Sequence, residues 1–384
     1  MARVAESAPE AKGLLATRVD FARPLVCILG LTFDAICMDE AVRRIREAAF
    51  AGRRCWVSTP NLNFAMAARS DAAFRDSVLR CDLSLVDGMP LVWIARLLGL
   101  PVRERVAGSD LFEALQAHDG SPLTVYLFGG PPGAARQASE RISARGGGLR
   151  CVGFDDGGFG PIETMSDAAT IDRINRSGAH FLVVAMGARK GHAWIAHNAA
   201  RLATPVLCHL GAVMNFAAGS LRRAPPWARR SGLEWLWRIV GEPTLWRRYW
   251  QDGLGAAGLM ASRVLPDAIA SRRRRCGASA TPARLDLQRG DGGIRIVPRG
   301  ASWPADADAL RAALVDCADV NLAVSVDLST VTTVSNRFAA LLLLAQGWFL
   351  PRGGFEIVGA GPSVKASLRR MLVDRPLLDR EGEA

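Results

Sequence analysis

The sequence predicts an α/β protein whose main sheet is parallel, and two observations support this prediction. Short apolar runs end in loops that contain Gly, Asp or Asn, and these loops lead into segments whose apolar residues recur at helical spacing. Such alternation is typical of strand–helix units whose strands lie parallel in one Rossmann-like sheet. With 384 residues and 49% hydrophobic composition, the chain can form two domains with separate cores.

The first domain is predicted over residues 23–262, after a flexible tail at residues 1–22. Its strand-like runs are, in chain order, CWVSTPN, CDLSLVDG, LTVYLFGG, LRCVGFDDGGFG, HFLVVAMGARKG and TPVLCHLGA. Helical spacing marks FAMAARSDAAFRDSVLR after the first run and PPGAARQASERISAR after the third. Ligands of parallel sheets bind at the carboxyl ends of the strands. The candidate site loops are therefore residues 58–63, 87–88, 129–133 and 187–191.

A second, smaller α/β domain is predicted over residues 285–384. It follows a linker at residues 263–284, which includes the charge run and small residues of SRRRRCGASATPAR. Strands and helices are then indicated by GGIRIVPRG, NLAVSVDLSTVTTVS, RFAALLLLAQGWFLPRGG and FEIVGAG.

Charge and cysteine usage limit the partners and the compartment. The net charge of +11 favours an anionic partner, which could be nucleic acid, acidic lipid or a phosphorylated substrate. The eight cysteines form no C-x-x-C pair, which indicates reduced thiols in a cytoplasmic protein. We expect no signal peptide, and the longest apolar run, Phe338 to Ala345, is far shorter than the ~20 residues of a membrane span.

The stretch RRAPPWARRSGLEWLWRIVGEPTLWRRYW, residues 222–250, gathers five Trp and seven Arg. Three interpretations compete: a nucleic-acid platform, a membrane-surface patch, or a core helix with a charged outer face. Leu233, Leu236, Trp237 and Val240 have helical spacing, so we expect them to pack inward.

Two strand-end loops offer polar side chains for substrate. Thr59, Asn61 and Asn63 could hydrogen-bond sugar hydroxyls or a uracil edge, although turns and helix N-caps use the same residue types. Asp87 follows an apolar strand, where a carboxylate could take a proton from an attacking hydroxyl or could cap the next helix.

Phosphate could be held at two further places. Arg105 could bind a diphosphate through its forked donors, or could belong to a solvated charge cluster with Arg103 and Asp110. The glycine-rich turn LFGGPPG could hold phosphate on backbone N–H groups, but it matches neither G-x-G-x-x-G nor a Walker loop. The pair Asp155 and Asp156 lies in a glycine loop, and the histidines lack metal-ligand spacing. We therefore expect neither a metal nor a cofactor.

Taken in order, these segments resemble the WecG/TagA/CpsF glycosyltransferases over about residues 25–255. The resemblance rests on TPN, DLSLVDGMPLVWIARLLG, ERVAGSDL, LFGGPPG, VAMGARKGHAWI and LGAVMNFAAGSLRRAPPWARRSGLEWLWRIVGEPTLWRRY. It implies an inverting, metal-independent transfer of an N-acetylmannosamine-type or related sugar. The donor would be a UDP-sugar, and the acceptor would be a polyprenyl-diphosphate-linked saccharide used in cell-surface polysaccharide synthesis.

The resemblance also implies roles for residues. The catalytic base falls on Asp87, and an arginine near the diphosphate falls on Arg105. The substrate-binding residues that we expect are Thr59, Asn61, Asn63, Gly88, Arg105, Gly108, Asp110, Gly129, Gly130, Gly187, Lys190, Gly211 and Asn215. The residues that we expect at the membrane or the acceptor diphosphate are Arg222, Arg223, Trp227, Arg238, Arg247 and Arg248.

This sequence departs from the family pattern G-x-P-K-Q-E-x-W. The glutamine thought to contact the nucleotide is replaced by Gly191, and the glutamate by His192. Asn215 stands where the family usually has Asp. Because Thr59, Asn61, Asp87 and Arg105 remain, we expect altered specificity, not lost activity.

A polyprenyl-linked acceptor lies in the membrane, so we expect a helical appendage, partly core, on the inner face of the cell membrane. The second domain resembles a STAS (anti-sigma-factor-antagonist) domain, whose switch serine falls on Asn336 or Arg337, just after Ser335. We expect it to dock a protein partner or to regulate. We expect no nucleic acid, but one alternative remains: a non-catalytic binder of sugar nucleotide or nucleic acid on a decayed transferase scaffold.

Overall fold

The computed structural model describes residues 19–157, 160–211, 213–219, 224–225, 227–228, 232–241, 246–276, 284–290, 293–299, 307–319, 322–331 and 333–379. The strands are β1 (Leu25–Ile28), β2 (Leu31–Asp34), β3 (Cys55–Ser58), β4 (Leu83–Ser84), β5 (Leu123–Gly129), β6 (Leu149–Asp155), β7 (Phe181–Ala185), β8 (Val206–His209), β9 (Arg284–Gly290), β10 (Gly293–Arg299), β11 (Val324–Asp327) and β12 (Phe355–Val358).

The helices of the first part of the chain are α1 (Met38–Phe50), α2 (Leu62–Ala67), α3 (Ala72–Leu79), α4 (Met89–Leu98), α5 (Gly108–Gln116), α6 (Ala134–Arg145), α7 (Ala168–Arg176), α8 (Ala188–Asn198) and α9 (Val213–Ala218). The helices that follow are α10 (Glu234–Gly241), α11 (Trp246–Leu259), α12 (Leu265–Cys276), α13 (Asp308–Cys317), α14 (Asn336–Phe349), α15 (Pro362–Met371) and α16 (Asp374–Leu378). A short π-helical segment, Met260–Val264, joins α11 to α12.

The parallel sheet predicted from the sequence is confirmed. Six strands pair in the order β4-β3-β8-β7-β5-β6, and every pairing is parallel. Strands buried on both faces read as continuous apolar runs, as β5, β7 and β8 do here. The segment FAMAARSDAAFRDSVLR forms two helices instead of one, because the Asp71 side chain accepts the N–H of Phe74 and begins α3 there.

The antiparallel hairpin β1–β2 lies beside the end of the sheet that carries β4. Asp34 at its end is buried and binds the buried guanidinium of Arg23 at 2.7 Å. The same carboxylate accepts the backbone N–H of Ser84 in β4 at 2.7 Å, while Arg23 Nη1 donates to the Cys81 carbonyl. The hairpin thus fixes the strand that leads to Asp87. Removing one partner of such a buried pair typically costs about 3–5 kcal/mol.

The C-terminal part of the chain forms a four-stranded mixed sheet in the order β12-β11-β10-β9, with β9 antiparallel to β10. Its core is continuous with the start of the chain, where Phe21, Leu25 and Cys27 join the same buried cluster. Phe21, inside the predicted tail, stacks on Phe349 with ring centroids 5.9 Å apart. Residues 265–276 of the predicted linker form α12, and residues 277–283 lie outside the described ranges.

Polar contacts also join the two parts. Asn336 is buried at the start of α14 and donates to the Cys27 carbonyl at 3.1 Å. The buried Asp267 in α12 pairs with Arg370 in α15 at 3.7 Å. The C-terminal part therefore holds both the hairpin β1–β2 and the helix that follows the Arg- and Trp-rich segment.

Candidate active site

A cavity of about 900 Å³ opens at the carboxyl ends of β3, β4, β7 and β8. The loops that follow these strands form its floor, as expected for a ligand site in a parallel sheet. Its outer wall is formed by helix α10, which lies in the Arg- and Trp-rich segment (residues 222–250), and by helix α11, which begins in that segment. Loops and helices that are far apart in the sequence thus form one site.

Asp87 lies in the cavity wall, just beyond β4. Its backbone N–H donates to the Pro60 carbonyl at 3.0 Å, and its carboxylate accepts the backbone N–H of Gly108. Burial raises its pKa from 3.8 to about 7; nearby Glu234 adds to this rise, and Arg105 opposes it. A carboxyl group with a pKa near neutrality can take up a proton at physiological pH.

The turn after Asp87 depends on glycine. Gly88 has a φ of +104°, which side chains on L-residues rarely adopt, and it is the N-cap of α4. Asp87 therefore precedes the cap position and does not cap α4. Of the two interpretations of Asp87, helix cap or proton acceptor, this arrangement favours the second, because the carboxylate is available to the cavity.

Arg105 is mostly buried between two carboxylates. Its guanidinium forms ion pairs with Asp110 in α5 and with Glu234 at the start of α10. Glu234 brings the Arg- and Trp-rich segment onto the site, although it is 129 positions from Arg105 in the chain. The carboxylates hold the forked guanidinium in place at the cavity wall.

The β3 loop contributes Thr59, Asn61 and Asn63 to the cavity. Asn61 is also the N-cap of α2 and accepts the Phe64 N–H at 3.3 Å, so the capping interpretation holds for its carbonyl oxygen. Asn63 donates to Asp252 of α11 at 3.0 Å. A Cβ at Gly108 would lie 2.5 Å from Leu210 Cδ2 and 3.0 Å from Thr59 Oγ1, so glycine allows these side chains to approach α5 closely.

The outer wall carries a broad apolar surface. Trp235, Trp246, Trp250 and Leu254 line the cavity and are also exposed on its rim. Of the residues predicted at the membrane, Trp227 is exposed, and exposed Arg247 lies over the Trp246 ring at 5.7 Å.

The predicted inward packing of α10 is wrong. Leu233, Leu236 and Trp237 are exposed, and Val240 is 76% exposed. Helical spacing correctly placed these residues on one face, but α10 turns Glu234 and Ile239 to the cavity instead. We define the set Trp227, Leu233, Trp235, Leu236, Trp237, Val240, Trp246, Trp250 and Leu254 as the rim surface.

The structure brings together only part of the predicted binding set. Gly88, Gly187 and Gly211 line the cavity, whereas Gly129, Gly130 and Lys190 do not. A Cβ at Gly130 would lie 2.9 Å from Met214 Cγ, and Asp110 contacts Arg105 instead of the cavity. Arg222 and Arg223 lie outside the described residues, as do the side chains of Asn215, Arg238 and Arg248.

The acidic pair is bound within the protein: Asp155 pairs with Arg173 at 2.6 Å, and Asp156 accepts the Gly133 N–H at 3.0 Å. Within the described ranges, no group of three or more His, Cys, Asp or Glu residues is arranged to hold a metal. Nor does any helix in that part of the chain have the length and apolar character of a bilayer span.

The two unusual residues of α8 have structural roles. His192 is fully buried between Ser58 and Ser77, at 3.1 and 3.3 Å, and burial lowers its pKa to about 3. Gly191 leaves room for the ring of His209, with which any Cβ at that position would overlap. Sequence analysis missed His209, Glu234 and Asp252 as site residues. For Glu234 and Asp252 one signal was available: they are rare acidic residues within or next to a strongly basic segment.

Comparison with known proteins shows the family of this chain. The sequence model of the glycosyl transferase WecG/TagA/CpsF family matches residues 26–268. The chain belongs to this family, as the resemblance of its motifs predicted, and it is a glycosyltransferase, consistent with hexosyl transfer.

Two curated relatives carry the same name, N-acetylglucosaminyldiphosphoundecaprenol N-acetyl-beta-D-mannosaminyltransferase. The protein from Bacillus spizizenii is 26% identical over 194 residues, which cover 50% of this chain and 74% of that protein. The protein from Bacillus subtilis is 27% identical over 194 residues, which cover 50% of this chain and 73% of that protein.

Proposed function

We propose that this enzyme transfers an N-acetylmannosamine-type or related sugar from a UDP-sugar to a polyprenyl-diphosphate-linked saccharide. The names of the two relatives support a lipid-diphosphate acceptor and the transfer of an N-acetylmannosaminyl group. The observation that carries the proposal is that Asp87, with its pKa near 7, and Arg105 line the same cavity at the end of the parallel sheet. The product would serve cell-surface polysaccharide synthesis.

The proposed reaction is a single displacement with inversion. The acceptor hydroxyl oxygen attacks the anomeric carbon, its proton passes to the Asp87 carboxylate, and the bond from the anomeric carbon to the UDP oxygen breaks. UDP departs with the bonding electron pair. Arg105 lies at the cavity wall where a guanidinium can stabilise that growing charge, which is how the site would work without a metal.

The rim surface supports a place at the membrane. Four of its members, Trp235, Trp246, Trp250 and Leu254, also line the cavity, and the stretch at residues 222–250 contains seven Arg. Tryptophan favours the membrane–water interface, and Arg binds anionic headgroups. We propose that the rim surface lies on the inner face of the cell membrane, so that the diphosphate of the acceptor reaches the cavity while its polyprenyl chain stays in lipid.

We further propose that the C-terminal part is a STAS-like domain with a docking or regulatory role. Its four-stranded mixed sheet and the helix α14 after β11 support this assignment. The position expected for a switch serine is taken by Asn336, which is buried on Cys27. That face is therefore used within the chain, and a protein partner would bind elsewhere on the domain.

The test is sugar transfer from a panel of UDP-sugars to short-chain polyprenyl-diphosphate-sugar acceptors. The Asp87→Asn variant should lose turnover and keep UDP-sugar binding, because only the proton acceptor changes. Asp172→Asn, on the exposed face of α7, is the matched control and should keep full activity. Tight UDP-sugar binding without turnover on any acceptor would instead support the non-catalytic alternative, and salt-sensitive binding to nucleic acid would do so as well.

A further inference from the structure

His209 is a side chain in the cavity wall for which the proposed reaction has no role. It is the last residue of β8, and its ring is held on three sides. The Cδ2 edge faces Gly191, the Nε2 and Cε1 edge faces Gly211, and Nε2 lies 2.6 Å from the Met186 carbonyl oxygen. Gly191 and Gly211, which have no side chains, leave the space that the ring fills.

The hydrogen bond to Met186 determines the tautomer of His209. A carbonyl oxygen only accepts, so Nε2 carries the proton. Burial lowers the pKa of His209, so the imidazole is neutral at physiological pH and Nδ1 is an acceptor. Among the described residues Nδ1 makes no hydrogen bond. It is absent from the set of side-chain atoms that are both fully buried and without a partner, so it is not fully buried. It is therefore open to a ligand in the cavity.

We propose that His209 is a specificity-determining residue that accepts a hydrogen bond at Nδ1 from the nucleobase N–H of the donor. This inference rests on the proposed UDP-sugar donor. A rigid, neutral acceptor selects a ligand group that donates, and it rejects an analogue in which that hydrogen is replaced. Gly191 is the second part of the device, because it leaves the space in which the ring is fixed.

The sheet order places His209 away from the reacting centre, which favours the base over the transferred sugar. Asp87 follows β4, whereas His209 ends β8, and β3 lies between them. Two strand spacings separate them by about 10 Å across the sheet. A nucleotide whose diphosphate contacts Arg105 can extend its base across that distance towards β8.

The test measures the Kd of UDP, 3-methyl-UDP and 2′-deoxy-UDP for the full chain. Methylation at N3 should weaken binding to the native protein about tenfold, and His209→Ala should lose a similar factor with UDP. The variant should then bind UDP and 3-methyl-UDP equally, and His209→Asn, which keeps an acceptor near Nδ1, should recover part of the affinity. Circular dichroism checks the fold, and the 3-methyl-UDP comparison on native protein needs no variant.

Gly191→Ala gives an independent arm. Its Cβ would displace the ring, so the affinity for UDP should fall, and adding Gly191→Ala to His209→Ala should cost nothing further. Native protein that binds UDP and 3-methyl-UDP equally would overturn the role of His209 and leave the proposed function intact. The role of His209 would also be overturned if His209→Ala weakened binding of UDP and 3-methyl-UDP but not of 2′-deoxy-UDP. The group bonded to His209 would then be the ribose 2′-hydroxyl and not the base. Native protein with no affinity for UDP would overturn the proposed function itself.

Discussion

The pH dependence of the reaction should follow the ionisation of Asp87. With a pKa of about 7, this carboxyl group is about one-tenth ionised at pH 6 and about nine-tenths ionised at pH 8. Because only the carboxylate can accept the proton, kcat/KM should rise about tenfold between these two values. Release of UDP, followed between pH 5.5 and 9 at limiting acceptor, measures this curve.

Glu234→Gln should move that curve to lower pH. Glu234 raises the pKa of Asp87, so removing its charge makes ionisation easier. An interaction of about 1 kcal/mol between charges in a partly hydrated site corresponds to about 0.7 pH unit. Glu140→Gln, on the exposed face of α6, is the matched control and should leave the midpoint unchanged. A native midpoint near 4, or a midpoint that rises in Glu234→Gln, would refute the assignment of Asp87 as the base.

Four further outcomes are expected. The pKa of Asp87 is raised in the folded state, so its ionisation lowers stability as the pH rises from about 4 to 7. Asp87→Asn should therefore raise the melting temperature at pH 8.5 and not at pH 4. An equal change in melting temperature at both pH values would contradict this. Gly108→Ala should lower the free energy of unfolding by about 1–3 kcal/mol in urea titrations through its clash with the cavity floor, whereas Gly258→Ala, which has open space around it, should not. Trp237→Ser should weaken sedimentation with anionic phosphatidylglycerol vesicles and leave UDP binding unchanged; unchanged sedimentation would remove the rim surface as the lipid contact. Asn336→Ala should cost about 1–3 kcal/mol because the buried Cys27 carbonyl loses its donor, and an unchanged urea midpoint would show that this contact does not hold the two parts together.

Much of the site could be predicted from the sequence because its floor is local. Each of these apolar runs ends in the loop that carries its candidate site residues, so the places of Thr59 and Asp87 follow directly from recognising β3 and β4. Parallel pairing then places those loops at one edge of the sheet. The resemblance to the family predicted that Arg105 lies near the same edge, and it lines the cavity there.

The sequence by itself determined the α/β class, the strand-end loops and the family. Only the tertiary structure decided what closes the site: Glu234 on Arg105, Asp252 on Asn63, and the ring of His209 over Gly191. Periodicity tells which residues share a face of α10, but it cannot tell what that face meets. The face predicted to be core is exposed, because α10 turns its other side to a cavity made by strands far away in the chain. Contacts between such distant segments depend on how the elements pack together, and no local pattern encodes that packing.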